Sequence, residues 1–219
     1  MNIDQVALWL STKSVQPPYL RLRLLAVLIF LALSSPANAR ALVGAVVPTF
    51  SWTDTDGRSA RLDDYRGRIV VLEWTSPVCP YSQYRYDTGI IQHTQEQILN
   101  QGGVWLTLLS AGRGQSGYMT VSESRKMQKM HHAHPTAVIR DTDSRIARML
   151  GATTTPHIAV INIDGVLVYS GGFDSSPAPW EEDGPVKNYV LETLQDLRAG
   201  RPVRVPITRA YGCMIHYAR

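Results

Sequence analysis

Two short apolar runs with a helix-length segment between them constrain the fold of this 219-residue sequence more than any other feature. The runs are Arg68–Trp74 (RIVVLEW) and Val104–Leu109 (VWLTLL), and their length and β-branched residues are typical of strands buried on both faces. The segment between them has a partial apolar stripe at helical spacing and ends at Gln101-Gly102-Gly103, so it predicts a helix from about Pro80 to Asn100. Strand, helix and strand in this order indicate a layered α/β protein.

Turn and cap signals place the other elements. Asp54-Thr55-Asp56-Gly57 and Asp164-Gly165 predict the turns of two β-hairpins, the first of them near the N-terminus. The remaining predicted elements are the hairpin strands Phe50–Trp52, Ser59–Leu62, His157–Ile163 and Val166–Ser170, a strand at Thr136–Ile139, and helices at Thr120 to about His131, Ser144–Leu150 and Val186–Arg198. Because a tight turn joins the last two strands, they pair antiparallel and the central sheet is expected to be mixed.

Charge and cysteine content exclude several classes of protein. The 22 basic and 18 acidic residues give a formal net charge of +4 without a basic run, so we expect no nucleic-acid partner. The two cysteines, Cys79 and Cys213, are too few for a Cys₄ zinc site or an iron–sulfur cluster. We therefore expect no cofactor and no structural metal.

Residues 1–39 have the pattern of a secretory signal peptide. Arg21 and Arg23 precede the apolar run Leu24–Leu33, and Ala37-Asn38-Ala39 is the small-x-small pattern at which such peptides are cleaved. The run is about half as long as the ~20 residues of a membrane-spanning helix, although an uncleaved anchor is the alternative. We expect cleavage after Ala39 and a periplasmic or secreted protein without membrane attachment, in a compartment that permits disulfides.

Cys79 is the strongest candidate for a reactive group. It follows the first buried strand and precedes Pro80, and proline is favoured at the first position of a helix. The thiol is therefore expected at a helix N-terminus, where free N–H groups and the helix dipole stabilise a thiolate. This position is also the carboxyl edge of the sheet, where α/β proteins bind ligands. An inert buried cysteine is the alternative.

A second thiol is missing from its usual place beside Cys79. The motif Cys79-Pro80-Tyr81-Ser82 has a serine as its fourth residue, and a hydroxyl cannot resolve a mixed disulfide. The mature chain divides into a domain at 40–200 and an extended tail at 201–219, and this tail carries Cys213. Cys213 is a candidate resolving thiol, with a structural disulfide to Cys79 or a free thiol as alternatives.

A proline at the mouth of a strand is the second informative position. Thr155-Pro156 precedes the run HIAVINI, and a proline there is expected at an edge, a bulge or a cis turn. Together with the strand that ends in Trp74 and the cysteine at the helix start, it resembles the thioredoxin superfamily. The resemblance implies a thioredoxin-like α/β fold with a mixed sheet flanked by helices, in which Pro156 is a cis-proline. It also implies a site bordered by Trp74, Tyr81 and Thr155.

Residues 44–217 are more similar to the exported redoxin-like branch that is grouped with the alkyl hydroperoxide reductase/thiol-specific antioxidant (peroxiredoxin) domain. The motifs that carry this resemblance are Glu73–Pro80, Tyr118-Met119-Thr120, Thr154-Thr155-Pro156-His157 and Tyr211-Gly212-Cys213. Peroxiredoxins carry Pro-x-x-x-Thr/Ser-x-x-Cys and a later arginine that polarises the peroxide. Here Ser76 fills the Thr/Ser position, but Leu72 replaces the proline and Thr155-Pro156 stands where the arginine is expected. Possible substitutes for this arginine are Arg140, Arg145 and Arg148.

The sequence therefore favours an exported thiol-based oxidoreductase that uses Cys79 for thiol–disulfide exchange, with Cys213 as a possible resolving thiol. Its partners would be a disulfide- or peroxide-bearing substrate and an external thiol reductant. A peroxiredoxin-like thiol peroxidase that reduces hydroperoxides is the first alternative.

A non-enzymatic copper- or partner-binding module is the second alternative. His131, His132 and His134 follow Met119, Met127 and Met130, and imidazole with thioether ligands suits copper, but this methionine spacing also fits the core face of a helix. The sequence leaves open whether Glu73 is a buried carboxylate near Cys79 or a solvated edge residue. His157 is expected to be a half-buried strand residue.

Overall fold

The structure is a computed structural model that describes residues 41–176 and 185–218, so the predicted signal peptide and its cleavage site lie outside the described residues. In chain order the strands are β1 (Ser51–Thr53), β2 (Ser59–Arg61), β3 (Val70–Trp74), β4 (Val104–Leu109), β5 (Ala137–Arg140), β6 (Thr154–Thr155), β7 (His157–Ile161), β8 (Leu167–Gly171) and β9 (Cys213–Met214). The helices are α1 (Pro80–Asp87), α2 (Ile90–Leu99), α3 (Val121–Met130), α4 (Arg145–Leu150) and α5 (Tyr189–Arg198), and Leu62–Tyr65 forms a 3₁₀ turn.

A mixed five-stranded sheet with the order β5-β4-β3-β7-β8 forms the centre of the protein. β3, β4 and β5 run parallel, and β7 pairs antiparallel with both β3 and β8. Every residue of β3 and β4 is buried, as their continuous apolar runs predict. Because side chains alternate between the two faces of a strand, β3 contributes Leu72 and Trp74 to one apolar cluster and Val71 to a second cluster on the opposite face.

The predicted α/β class, the mixed sheet and the N-terminal hairpin are confirmed. β1 and β2 pair antiparallel around the Asp-Gly turn. The side chain of Thr120 caps α3 through the Glu123 N–H, and the Glu123 carboxylate bonds back to the Thr120 N–H, so the predicted capping box is present. Within the described ranges, no helix is both long and apolar enough to cross a membrane.

The predicted single helix from Pro80 to Asn100 is wrong, because two helices occupy this segment. Gly89 lies between α1 and α2 with φ +76°, a left-handed conformation that interrupts a right-handed helix. The start of the last helix is also corrected, from Val186 to Tyr189. The Asn188 side chain accepts hydrogen bonds from the N–H groups of Val190 and Leu191 and thereby fixes the first turn of α5 there.

The C-terminal tail is extended, as predicted, and packs along the sheet and across its edge. It first follows β8, where the Ser170 N–H donates to the Pro206 carbonyl and the Thr208 N–H donates to the Ser170 carbonyl. It then forms β9, which pairs antiparallel with β6 directly before Pro156. Beyond β9 the tail contacts the loop after β4, where the Gly112 N–H donates to the His216 carbonyl.

Candidate active site

Cys79 lies where the chain turns from β3 into α1. It is the N-cap residue of α1, with extended backbone (φ −93°, ψ 112°), and Pro80 follows in the first turn. The Cys79 N–H donates to the Ser76 carbonyl, and the Cys79 carbonyl accepts from the Gln83 N–H at 2.9 Å. The side chain is 0% exposed, so its reactivity depends on the groups packed around the sulfur.

The loop before β7 packs against the Cys79 sulfur. The Thr155–Pro156 peptide bond is cis, as the resemblance to thioredoxins implies. The Thr155 carbonyl oxygen lies 2.9 Å from Cys79 Sγ and accepts a hydrogen bond from the thiol. The Cys79 sulfur, the start of α1 and the cis-proline loop therefore lie together at the carboxyl end of β3.

Cys213 reaches the same place through the pairing of β9 with β6. In the register of this pair, Cys213 is directly opposite Thr155. Gly212 permits the approach, because a Cβ atom on this residue would lie only 2.0 Å from the Thr155 carbonyl oxygen, and its φ of +123° also favours glycine. Cys79 and Cys213 are both free thiols in this structure, and Thr155, the residue opposite Cys213, is the one whose carbonyl accepts from Cys79 Sγ.

The two thiols differ in acidity. Burial alone would raise the pKa of Cys79, but hydrogen bonds from the side chains of Cys213 and Thr155 and from the backbone of Ser82 and Cys213 together lower it. Burial, the hydrogen bond to Cys79 and the negative charge of the Cys79 thiolate raise the pKa of Cys213 to about 12, against a smaller lowering effect of the Tyr81 backbone. The first proton therefore leaves Cys79, and Cys213 stays a thiol that donates to the thiolate.

A buried polar network holds the tail just before Cys213. Arg85 on α1 is 0% exposed and binds Asp174, which follows β8, through two hydrogen bonds of 2.8 and 2.7 Å. The same guanidinium donates to the Tyr211 hydroxyl at 2.8 Å and lies 5.2 Å from the centre of the Tyr211 ring. Sequence reasoning missed Arg85 and Asp174. The only local signal was the Tyr211-Gly212-Cys213 motif, which does not reveal the distant partners.

The other predicted site residues surround this centre at different depths. Trp74 is fully buried in the core, and its Nε1 donates a hydrogen bond of 3.1 Å to Ser110 Oγ. It is therefore a core residue at the end of β3 and not part of the exposed surface of the site. Tyr81 is half-buried, and its ring centre lies 6.3 Å from that of Tyr211. The Ser76 hydroxyl faces the loop after β4, where a Cβ atom on Gly117 would lie 2.7 Å from Ser76 Oγ.

The three arginines considered as substitutes for the peroxiredoxin arginine bind elsewhere. Arg140 donates to the Met119 carbonyl and to the Tyr118 hydroxyl, both at 2.9 Å. Arg145 donates to the Ser51 carbonyl at 3.3 Å, and Arg148 donates to the Ala218 carbonyl. Each of these guanidinium groups is thus engaged with backbone or side-chain groups other than the cysteines.

Glu73 is a buried carboxylate, which resolves the alternative that the sequence left open. It is 0% exposed and accepts hydrogen bonds from Tyr86, Trp105 and Thr107. Burial raises the pKa of Glu73, and these three hydrogen bonds partly oppose that rise. His157 is buried rather than half-buried. Its Nε2 lies 3.1 Å from Ser170 Oγ, and its ring meets Trp74 edge-on at 5.6 Å.

The histidines and methionines of the copper hypothesis have separate environments. Met127 packs against Leu109 and Val138, as the core face of a helix does, whereas Met130 is exposed. His131 packs against Tyr86 with the rings tilted by 35° and their centres 4.7 Å apart. Across residues 41–176 and 185–218, no three His, Cys, Asp or Glu side chains gather in an arrangement that holds a metal ion.

No family model and no curated protein matches this sequence. Among solved structures, the chain is similar to an uncharacterised conserved protein from Geobacillus kaustophilus, with a TM-score of 0.72, 22% identity, and coverage of 81% of this chain and 93% of that one. It is also similar to a hypothetical protein from Sinorhizobium meliloti 1021, with a TM-score of 0.71, 17% identity, and coverage of 81% and 95%. The pneumococcal exposed lipoprotein thioredoxin from Streptococcus pneumoniae strain TIGR4 matches with a TM-score of 0.48 and 20% identity, over 69% of this chain and 99% of that one.

The central mixed sheet, the helix that starts at the cysteine after β3 and the cis-proline loop beside that cysteine complete the arrangement that the resemblance implies. The fold is thioredoxin-like. At these sequence identities the solved structures bear on the fold alone, so the activity has to be argued from the site itself. No family model supports the closer grouping with the peroxiredoxin domain, which stays a prediction.

Proposed function

We propose that this protein is a thiol–disulfide oxidoreductase in which Cys79 is the nucleophile and Cys213 is the resolving thiol. The observation that carries the proposal is that both cysteines lie at the cis Thr155–Pro156 loop, Cys79 through a 2.9 Å hydrogen bond to the Thr155 carbonyl and Cys213 as the residue paired with Thr155. Two thiols held at the same loop are suited to a disulfide that forms and breaks, and their unequal acidity assigns the roles.

In the first step the Cys79 thiolate attacks one sulfur of a substrate disulfide. A bond forms between that sulfur and Cys79 Sγ, the substrate's S–S bond breaks, and its other half leaves as a thiolate that takes a proton from water. The lowered pKa of Cys79 increases the fraction of the reactive thiolate at neutral pH.

In the second step Cys213 resolves the mixed disulfide. Once Cys79 is bonded to the substrate, its negative charge is gone, so one of the causes that raise the pKa of Cys213 no longer acts. The Cys213 sulfur attacks Cys79 Sγ, the bond to the substrate breaks, and the proton of Cys213 goes to the departing thiol. The substrate disulfide is thereby reduced by two electrons, and a Cys79–Cys213 disulfide is formed.

Regeneration requires an external dithiol, whose oxidation returns two electrons and two protons to the cysteine pair. The reductant attacks the Cys213 sulfur, because this attack releases Cys79, which has the lower pKa of the two thiols and is therefore the better leaving group.

Hydroperoxide reduction is the second candidate function, and the complete burial of Cys79 favours it because a peroxide is smaller than a disulfide substrate. In this cycle Cys79 takes the distal peroxide oxygen, an alcohol or water leaves, and Cys213 condenses with the Cys79 sulfenic acid to release water. The engagement of Arg140, Arg145 and Arg148 with other groups favours disulfide exchange instead, since peroxide cleavage benefits from a nearby cation.

The experiment reacts the reduced mature protein with oxidised glutathione and, separately, with hydrogen peroxide. The proposal predicts that glutathione disulfide yields two molecules of free glutathione per protein, and that the Cys213→Ser variant stops at a Cys79–glutathione mixed disulfide. Rapid reaction with peroxide and none with glutathione disulfide would replace the proposal by the peroxidase function. Reaction with neither oxidant would contradict both.

A further inference from the structure

We propose that Arg85, Asp174 and Tyr211 are positioning residues for the redox reaction, because their buried network holds Cys213 against Cys79. The inference rests on the proposed function and assigns roles to residues that do not themselves touch the reacting sulfur atoms.

The network joins three separate parts of the chain at one guanidinium group. Arg85 binds both carboxylate oxygens of Asp174, donates to the Tyr211 hydroxyl at 2.8 Å and donates to the Ser176 carbonyl at 2.6 Å. A fifth hydrogen bond of 2.9 Å ties it to the Tyr81 carbonyl on its own helix. The Tyr211 hydroxyl lies 2.9 Å from the Asp174 carbonyl and donates to this residue.

The network of Arg85, Asp174 and Tyr211 connects the two chain segments that carry the cysteines, so it affects the distance between Cys79 and Cys213. Arg85 lies on α1, the helix whose N-cap is Cys79, so any movement of the helix start is shared with the guanidinium. Tyr211 is separated from Cys213 by Gly212 alone. Both cysteines are therefore connected to α1. Cys79 is joined to it through the backbone as its N-cap, and the residues before Cys213 are joined to it through the hydrogen bond between Arg85 and Tyr211.

Burial of the charges indicates that the network serves geometry as well as stability. Arg85 is 0% exposed and the Asp174 side chain is 4% exposed, and taking such a pair out of water has a large desolvation cost. Well-packed apolar side chains often stabilise a fold as well as a buried ion pair does, but they lack directed hydrogen bonds. A bidentate guanidinium bonded to a phenol hydroxyl fixes direction, which is what a thiol poised for attack requires.

The network affects the second step of the reaction, in which Cys213 attacks the mixed disulfide on Cys79. Ring closure between Cys213 and the mixed disulfide is an intramolecular reaction, so its rate depends on how closely the tail is held to the productive geometry. The contact also reaches the first thiol, since the Cys213 side chain is among the groups that stabilise the Cys79 thiolate. A loosened tail therefore slows ring closure and makes Cys79 less acidic.

The test compares Tyr211→Phe with the wild-type protein. The substitution keeps the ring over Arg85 and removes only the hydroxyl. The matched control is Tyr118→Phe, which removes a tyrosine hydroxyl that binds Arg140 and lies outside the tail. Arg85→Lys is the second variant, because it keeps the charge and loses the bidentate geometry.

Two quantities are measured for each protein. One is the rate at which glutathione leaves the Cys79 mixed disulfide, and the other is the pH midpoint of Cys79 alkylation by iodoacetamide. We expect Tyr211→Phe to slow release by ~10-fold or more and to move the midpoint to higher pH, with Tyr118→Phe unchanged in both. A role limited to fold stability would lower the melting temperature without moving the pH midpoint.

Tyr211→Phe and Arg85→Lys with wild-type release rates and midpoints would overturn the inference while leaving the proposed function intact. A wild-type protein that never releases the second glutathione would instead contradict the proposed function, so the two failures are distinguishable.

Discussion

The junction between β3 and α1 and the C-terminal tail place the two cysteines by different means. At the junction, Cys79 is held by Ser76 and Gln83, which are within four residues of it in the chain, and by a helix start that Pro80 favours. In the tail, Cys213 depends on partners that are far away in sequence, among them Thr155 and Arg85. One cysteine is thus placed by local structure, and the other by long-range contacts.

This difference teaches that the two redox steps are separable by mutation. Changes in the tail leave the helix start and the cis-proline loop in place, so the nucleophile remains. Such changes move the resolving thiol, Cys213. They also weaken the lowering of the Cys79 pKa that Cys213 causes.

Replacing each cysteine by serine gives the largest contrast. Reduced wild-type protein treated with 5,5′-dithiobis(2-nitrobenzoate) is expected to release two equivalents of coloured thiolate, because ring closure expels the second. Cys213→Ser releases one equivalent at a comparable rate. Cys79→Ser reacts slower by ~10²-fold or more at neutral pH, since burial alone still raises the pKa of Cys213. Absorbance in a stopped-flow instrument measures all three, and fast reaction of Cys79→Ser would contradict the assigned roles.

Gly212→Ala tests the close approach of the tail to the cis-proline loop. The new Cβ atom would lie 2.0 Å from the Thr155 carbonyl oxygen, so β9 has to move away and ring closure is expected to slow by ~10-fold or more. Gly114→Ala is the control. It has a positive φ of +77° as well, but no atom lies within 4 Å of the added Cβ, so it shares the backbone strain without the collision. Equal closure rates in the two variants would show that the approach is not needed.

The two arginine anchors of the tail are expected to differ in their contribution to stability. Arg85→Ala leaves Asp174 buried without its partner, which lowers the free energy of unfolding by about 3–5 kcal/mol. Arg201→Ala removes an ion pair in which the arginine side chain is 54% exposed and Asp196 is 2% exposed, but Asp196 keeps its hydrogen bonds with Arg204, so we expect a loss of about 0–1 kcal/mol. Urea unfolding of both variants measures the difference. Similar losses would mean that the buried network does not dominate tail attachment.

The pH dependence of Cys79 alkylation gives the smallest effect. Hydrogen bonds to Cys79 Sγ hold its pKa below the ordinary value for a thiol, so alkylation reaches half its maximal rate at a lower pH than that of a free cysteine. Cys213→Ser weakens one of these bonds and is expected to move the midpoint upward, towards the ordinary value. An unchanged midpoint would show that the tail does not influence the nucleophile.

The sequence predicted what local patterns determine. Continuous apolar runs located β3 and β4, and the Asp-Gly turn located the first hairpin, because burial and turn chemistry are readable within a few residues. Pro80 placed Cys79 at a helix start for the same reason. The break at Gly89 was missed because a single glycine is compatible with a helix, and the local pattern does not reveal its left-handed backbone.

The placement of Cys79 and Cys213 at the same loop was beyond what the sequence alone determines. Tail length permitted it, but the register of β9 on β6 depends on the fit of Gly212 against Thr155. Arg85 gave no signal either, because a charged residue on a short helix normally faces solvent. Its buried role emerges only when distant parts of the chain are brought together.

The most direct test of the central claim is disulfide mapping by mass spectrometry after one equivalent of oxidised glutathione, with rapid acid quenching and alkylation. We expect a peptide pair joined by a Cys79–Cys213 bond, with both cysteines protected from alkylation in equal measure. Cys79 joined to glutathione while Cys213 remains free to react with the alkylating agent would contradict it.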